Sequence, residues 1–215
     1  MLNYSITSFV STNAQKQVKH AYYCPSHLLL QLIMYIGISS DILNRQYATQ
    51  RQGMWCWAAS IQTVLRYYGL SISQDTIVRR SFGLDKYGQI PNKPAGFDIM
   101  TARLNDWGID SKGKHYLVQA MLMPGAPLPE VLLREMQAQR PILLSYQSRP
   151  SMNHAVVCTA VQVIVQQGVP RLTSIIVRDP WPSQKNIKVH GRIEYPARDF
   201  AQKTVAHWII RVVAR

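Results

Sequence analysis

The chain has 215 residues, enough for one well-buried core or for one domain with a short extension. An apolar fraction of 47% with 16% charged residues excludes a disordered chain. Lys and Arg outnumber Asp and Glu by 24 to 11 for a net charge of +13, yet Lys16, Arg79, Lys112, Arg134, Arg192 and Arg211 are scattered, which argues for a generally cationic surface and against specific nucleic-acid recognition.

Residues 1 to 45 read as an N-terminal extension, a packing, pro- or delivery segment. Within it Ser26 caps a predicted helix over Leu28 to Ile36. The apolar stretch Leu28 to Ile38 falls short of the roughly 20 residues a bilayer requires, so no membrane span is expected. It also lacks the position and cleavage pattern of a signal peptide, so the expected location is the producer's cytoplasm, or delivery into a target cell without a standard signal. Residues 46 to 215 read as one domain. From Cys56 the apolar residues Ala58, Ile61, Val64, Leu65 and Tyr68 fall at helical spacing, and Gly69 stops the run. A second short helix follows with Ser73 as N-cap, then a Gly- and Pro-rich loop from Ser81 to Gly96. Phe97 to Trp107 reads as a helix closed by Gly108. After the connector Pro124 to Pro129, Glu130 to Gln139 reads as another, ended by Arg140-Pro141. The pattern then turns to strands at Ile142–Tyr146, His154–Val161, Thr173–Arg178 and Val205–Val213, with a polar loop over Gln147 to Asn153. Helices first and strands after predict an α+β domain: a helical lobe packed on a C-terminal antiparallel sheet.

Cys56 stands in the first turn of its helix, where unpaired backbone N–H groups and the positive end of the dipole favour a thiolate. His154 opens one strand and Asp179 closes the next, and in antiparallel neighbours those ends are adjacent. That arrangement gives a nucleophile, a general base and a carboxylate to orient the base. Gln50, six residues before Cys56, is near enough to donate its amide to an oxyanion, and Gln52 competes for the role. His207 competes with His154, since it too precedes an apolar run, though no Asp-Pro follows it. Asp179 could instead cap the turn before Pro180. Trp55, Trp57 and Trp181 read equally as shields of the site or as plain core residues. Cys158, inside a strand, reads as an inert buried thiol, and Cys24 completes a set that forms no disulfide framework. No Cys-x-x-Cys or His-x3-His pair exists, so no metal or cofactor is expected.

Gln50-x5-Cys56-Trp57-Ala58, followed by His154 at the start of a β run and Asp179 at the end of the next, resembles the papain-like cysteine peptidases. It is most similar to the compact bacterial branch, which includes double-glycine leader peptidases and secreted effector peptidases. The resemblance covers residues 46 to 215, is specific around Cys56 and favours Gln50 over Gln52. It departs from papain at Asp179, where papain has Asn, and at Gly53, where papain has a second cysteine. The resemblance implies a thiol protease that cleaves a protein or peptide substrate through Cys56, His154, Asp179 and Gln50. A short chain of this kind resembles a stand-alone bacterial effector or toxin, for which an acidic inhibitor or immunity protein is the expected partner. Two alternatives remain open: acyl transfer, deamidation or transglutamination through the same thioester, and a binding module with an idle site.

Overall fold

The computed structural model describes residues 32–166 and 168–214. The expectations for residues 1–31, including the cap at Ser26 and the state of Cys24, lie outside the described residues. Where a helix is predicted through Ile36, the chain instead forms a strand, β1 (Leu32–Gly37). A short apolar run fits either element by periodicity, so tertiary pairing decides. Here β1 lies antiparallel on residues 160–165 of the long strand β5 (Met152–Gln166). Only glycine fits at its end, because a Cβ on Gly37, which has φ +150°, would meet the Thr159 carbonyl oxygen at 2.4 Å.

Helix α1 (Ser40–Gln46) starts where the Ser39 hydroxyl accepts from the Asp41 N–H, and it packs on α2 (Cys56–Tyr67). The apolar stripe of α2 buries Trp57, Ala58, Ile61, Val64 and Leu65, and the chain turns away at Gly69 with φ +81°. The predicted cap is present in α3 (Gln74–Phe82): Ser73 Oγ accepts from the Thr76 N–H at 3.1 Å. Helix α4 (Phe97–Leu104) stops short of the expected Trp107. The Asn105 side chain bonds both the N–H and the carbonyl of Ala120, at 2.7 and 2.6 Å, so this residue serves the sheet rather than another helical turn.

Strands β2 (Trp107–Ile109) and β3 (His115–Pro124), absent from the sequence reading, come next, then α5 (Pro129–Gln137). Strand β4 (Ile142–Arg149) and β5 form a hairpin that takes up most of the expected polar loop. They are followed by β6 (Val169–Arg178), α6 (Gln184–Lys188), β7 (Arg192–Pro196), α7 (Ala197–Lys203) and β8 (Thr204–Ala214). The sheet runs β2-β3-β8-β4-β5-β6-β7 with β1 added to β5, and its pairings are antiparallel.

Alternation along the central strands divides the core. Leu143, Ala155, Val157 and Trp208 face α2, α3 and α4, whereas Ile142, Leu144, Val156 and Cys158 face α5 and α7. A bulge between Cys158 and Ala160 shifts the parity, so that Val161 and Val163 continue the second face. The α+β class and the antiparallel sheet agree with expectation, and helices cover both faces of the sheet. Among the described residues no helix is long and apolar enough to cross a membrane.

Candidate active site

Two hydrogen bonds seat the Cys56 helix. Ser60 Oγ donates to the Ala155 carbonyl at 3.0 Å, fixing α2 against β5 one residue beyond His154. Thr63 Oγ1 accepts from the Ala48 N–H at 3.1 Å and ties the preceding loop to the same helix. Trp55, the N-cap residue, offers no side-chain acceptor to the first turn. The orphan N–H groups there therefore remain as donors beside Cys56, which is half-buried.

His154 and Asp179 meet. Nε2 of His154 donates to Oδ1 of Asp179 at 2.7 Å, which leaves Nδ1 as the ring nitrogen for a thiol. Burial pushes the imidazole down, but Asp179 and the neighbouring Cys56 outweigh it and hold His154 up at about 9. The Tyr146 ring, directly opposite His154 in the β4–β5 pair, stands edge-on to the imidazole at 5.7 Å and 89°. Oδ1 of Asp179 accepts a second bond, from the Trp181 N–H at 2.8 Å. Turn capping and imidazole binding, weighed in the sequence as alternatives, are thus served by one oxygen.

Gln50 is buried at 4% exposure in the loop before α2. Its Nε2 donates to the Gln52 carbonyl at 3.0 Å and the Gly53 carbonyl at 2.9 Å, while its Oε1 has no partner. Gln74 braces this loop by accepting from the Arg51 N–H and donating to the Thr49 carbonyl. The Gln52 side chain is exposed.

The tryptophans divide. Trp55 and Trp57, each 2% exposed, belong to the core, and their indole N–H groups donate to Pro91 and Lys93 carbonyls at 3.1 and 3.2 Å. With Met54 N–H donating to Asn92 Oδ1 at 2.9 Å, they fasten the coil that walls the cleft. Trp181 is 49% exposed, and its backbone rather than its ring touches the carboxylate. The cleft beside Cys56 has a volume of about 280 Å³ and is walled by Trp57, Ala95, Phe97 and Met100, with Ser145 and Asn153 as polar members and no charged side chain.

The competing His207 is a buried imidazole on β8 whose Nδ1 donates to the Gly125 carbonyl at 2.8 Å, and burial pushes it down. Cys158 is fully buried, which pushes its thiol up to about 12. Sequence reasoning missed Ser145, Tyr146, Asn153 and Tyr47. Tyr146 alone carried a usable signal, as an aromatic in the strand before His154.

A family model described as Peptidase_C39 like family matches residues 42–210. Among solved structures, the chain is similar to the peptidase domain of Streptococcus ComA, described as a bi-functional ABC transporter involved in a quorum-sensing pathway. The TM-score is 0.48 at 14% identity, over 76% of this chain and 96% of that one. No curated protein matches the chain.

Proposed function

We propose that this chain, which belongs to the Peptidase_C39 like family and is a cysteine peptidase of papain-like α+β fold, cleaves its substrate with Cys56 as nucleophile, His154 as general base and acid, and Asp179 as the group that orients the imidazole. The observation carrying this reading is the 2.7 Å bond from His154 Nε2 to Asp179 Oδ1, made by a ring whose proton is held more tightly by the neighbouring Cys56.

The Cys56 sulfur attacks the substrate carbonyl carbon, and the electron pair of the C=O moves to oxygen. As the tetrahedral carbon collapses, the C–N bond breaks and the amine leaves with the proton that His154 supplies. A thioester remains. Water, deprotonated by His154, attacks it, and the C–S bond breaks to release the acid and return the proton to the Cys56–His154 pair. Backbone N–H groups of the first turn of α2, left without a side-chain cap, serve as donors to the developing oxyanion, and such a donor is worth about 2.7–4 kcal/mol. Gln50 joins them once its amide exchanges a loop carbonyl for that oxygen.

The cleft, walled without charge, suits an uncharged segment of an extended peptide. The net charge of +13 then acts at longer range, favouring acidic regions of a target protein or an acidic inhibitor and weakening with salt. The enzyme fits a bacterial effector or toxin acting on a target-cell protein.

A thiol-directed epoxide tests the site without knowledge of the substrate. At pH 6 it is expected to alkylate Cys56 and not Cys158, located by peptide mass spectrometry, because only an activated thiol reacts quickly there. A Cys56 no faster than the same residue in urea-unfolded protein would end the proposal.

A further inference from the structure

The segment Arg178-Asp179-Pro180-Trp181 is gripped from two sides. On one side the Tyr47 hydroxyl donates to the Asp179 carbonyl at 2.8 Å, and the Gln50 N–H donates to the Pro180 carbonyl at 2.8 Å. On the other, the Asp179 N–H donates to the Gly191 carbonyl at 2.8 Å, and Asn186 Nδ2 donates to the Trp181 carbonyl at 3.2 Å. Gly191, at φ +66°, has no room for a side chain: a Cβ would meet the Asp179 carbonyl oxygen at 2.3 Å and Tyr47 Cε2 at 2.5 Å. One residue upstream, the buried guanidinium of Arg178 spans both sides. Its Nη1 donates to Asn44 Oδ1 at 2.8 Å and to the His190 carbonyl at 3.0 Å, with no carboxylate paired to it among the described residues.

A buried arginine facing only carbonyl and amide oxygens adds little net attraction for the burial of its charge, so its place next to Asp179 calls for another reason. Local strand pairing does not supply one, because β6 ends at Arg178 and Asp179 lies beyond the ladder. The backbone of Asp179 is therefore set by Tyr47, Gly191 and the anchors of Arg178. Contacts reaching back 132 and 134 positions in the chain hold the carboxylate at the length of one hydrogen bond from His154.

We infer that Tyr47 is a positioning residue of the peptidase site, its hydroxyl and the Asn44–Arg178 contact fixing the Asp179 carboxylate against His154. The inference rests on the triad proposed above. It makes the stretch from α1 to Gln50 part of the machinery, although none of its side chains but that of Gln50 is a candidate to meet the substrate. Burial raises the Tyr47 hydroxyl, so it remains a donor throughout the working range of pH. The titratable groups that face His154 are Asp179 and Cys56, with the Tyr146 ring beside it.

The test uses the full-length protein with Tyr47→Phe, which removes one oxygen. Three quantities are measured: iodoacetamide alkylation of Cys56 against pH, read on its own peptide, titration of the His154 ring by NMR, and the unfolding midpoint. Loss of one hydrogen bond of ordinary strength is expected to slow alkylation at pH 6 by about 5- to 10-fold. The His154 titration should move to lower pH while the midpoint shifts by no more than a few degrees. Asn44→Ala, acting through Arg178, should move both active-site readouts in the same direction, and it decides the matter if Tyr47→Phe does not fold. A lowered midpoint with the His154 titration and alkylation rate unchanged overturns the inference and leaves the triad standing. If wild-type Cys56 is no more reactive at pH 6 than in unfolded protein, the triad itself is wrong and the inference falls with it.

Discussion

Cys56→Ala is expected to abolish peptide turnover, and His154→Ala to lower kcat/KM by about 10⁴- to 10⁶-fold, with both variants keeping the wild-type fold. The two effects are comparable because sulfur and imidazole act as one unit. Without the ring no group on the sheet takes the thiol proton, and without the sulfur the ring has nothing to activate. The sulfur is not what holds the Cys56 helix in place. Cys56 is only half-buried at the mouth of a cleft, and α2 is held by Ser60, Thr63 and its own apolar stripe. A circular dichroism melt alongside the kinetics checks this, and a collapse of the fold in Cys56→Ala would show that the residue had been packing after all.

Asp179→Ala should cost about 10³- to 10⁴-fold in kcat with KM little changed, since it loosens the imidazole without touching the cleft walls. Asp179→Asn should cost far less, because an amide oxygen can still accept from Nε2 while the negative charge is gone. The pair of variants therefore separates orientation from charge. pH supplies the sharper signature. With Asp179 present the folded protein holds the His154 proton up to about 9, against an ordinary value of 6.5. A proton bound more tightly when folded stabilises the native state fully below pH 6.5. That contribution then drains away as the pH rises from 6.5 to about 9. Activity should likewise persist to about 9 on the alkaline side in the wild type, and in Asp179→Asn the alkaline limb should move down. An alkaline limb that does not move in Asp179→Asn would mean that the carboxylate does not govern the imidazole.

What the chain disclosed in advance was what depends on neighbours in sequence. The stripe from Ala58 to Tyr68 is long and strongly periodic, so the helix beginning at Cys56 was legible, and so was the Ser73 cap. His154 and Asp179 were legible as residues near the ends of adjacent strands, and the two side chains do meet, with Asp179 one residue past the end of β6. Leu32–Gly37 was not, because a short apolar run suits a helix or a strand until β5 offers an edge. Helix α4 was overextended because nothing in the local pattern shows that Asn105 bonds Ala120 across a sheet. Tyr47 illustrates the limit most sharply. Its partner is 132 residues away, and no periodicity or spacing carries that information. Gln50 stands between these cases: its proximity to Cys56 was readable, whereas the attachment of its amide to the Gln52 and Gly53 carbonyls belongs to the folded loop alone.

The most direct test is to incubate the purified protein with a peptide library cut from a whole proteome and to map every new N-terminus by mass spectrometry. New termini are predicted with the wild-type protein, flanked by uncharged residues that suit the cleft, and none with Cys56→Ala. Intact peptides bearing a deamidated or cross-linked glutamine would contradict hydrolysis, and the same termini from both proteins would contradict Cys56 as the nucleophile.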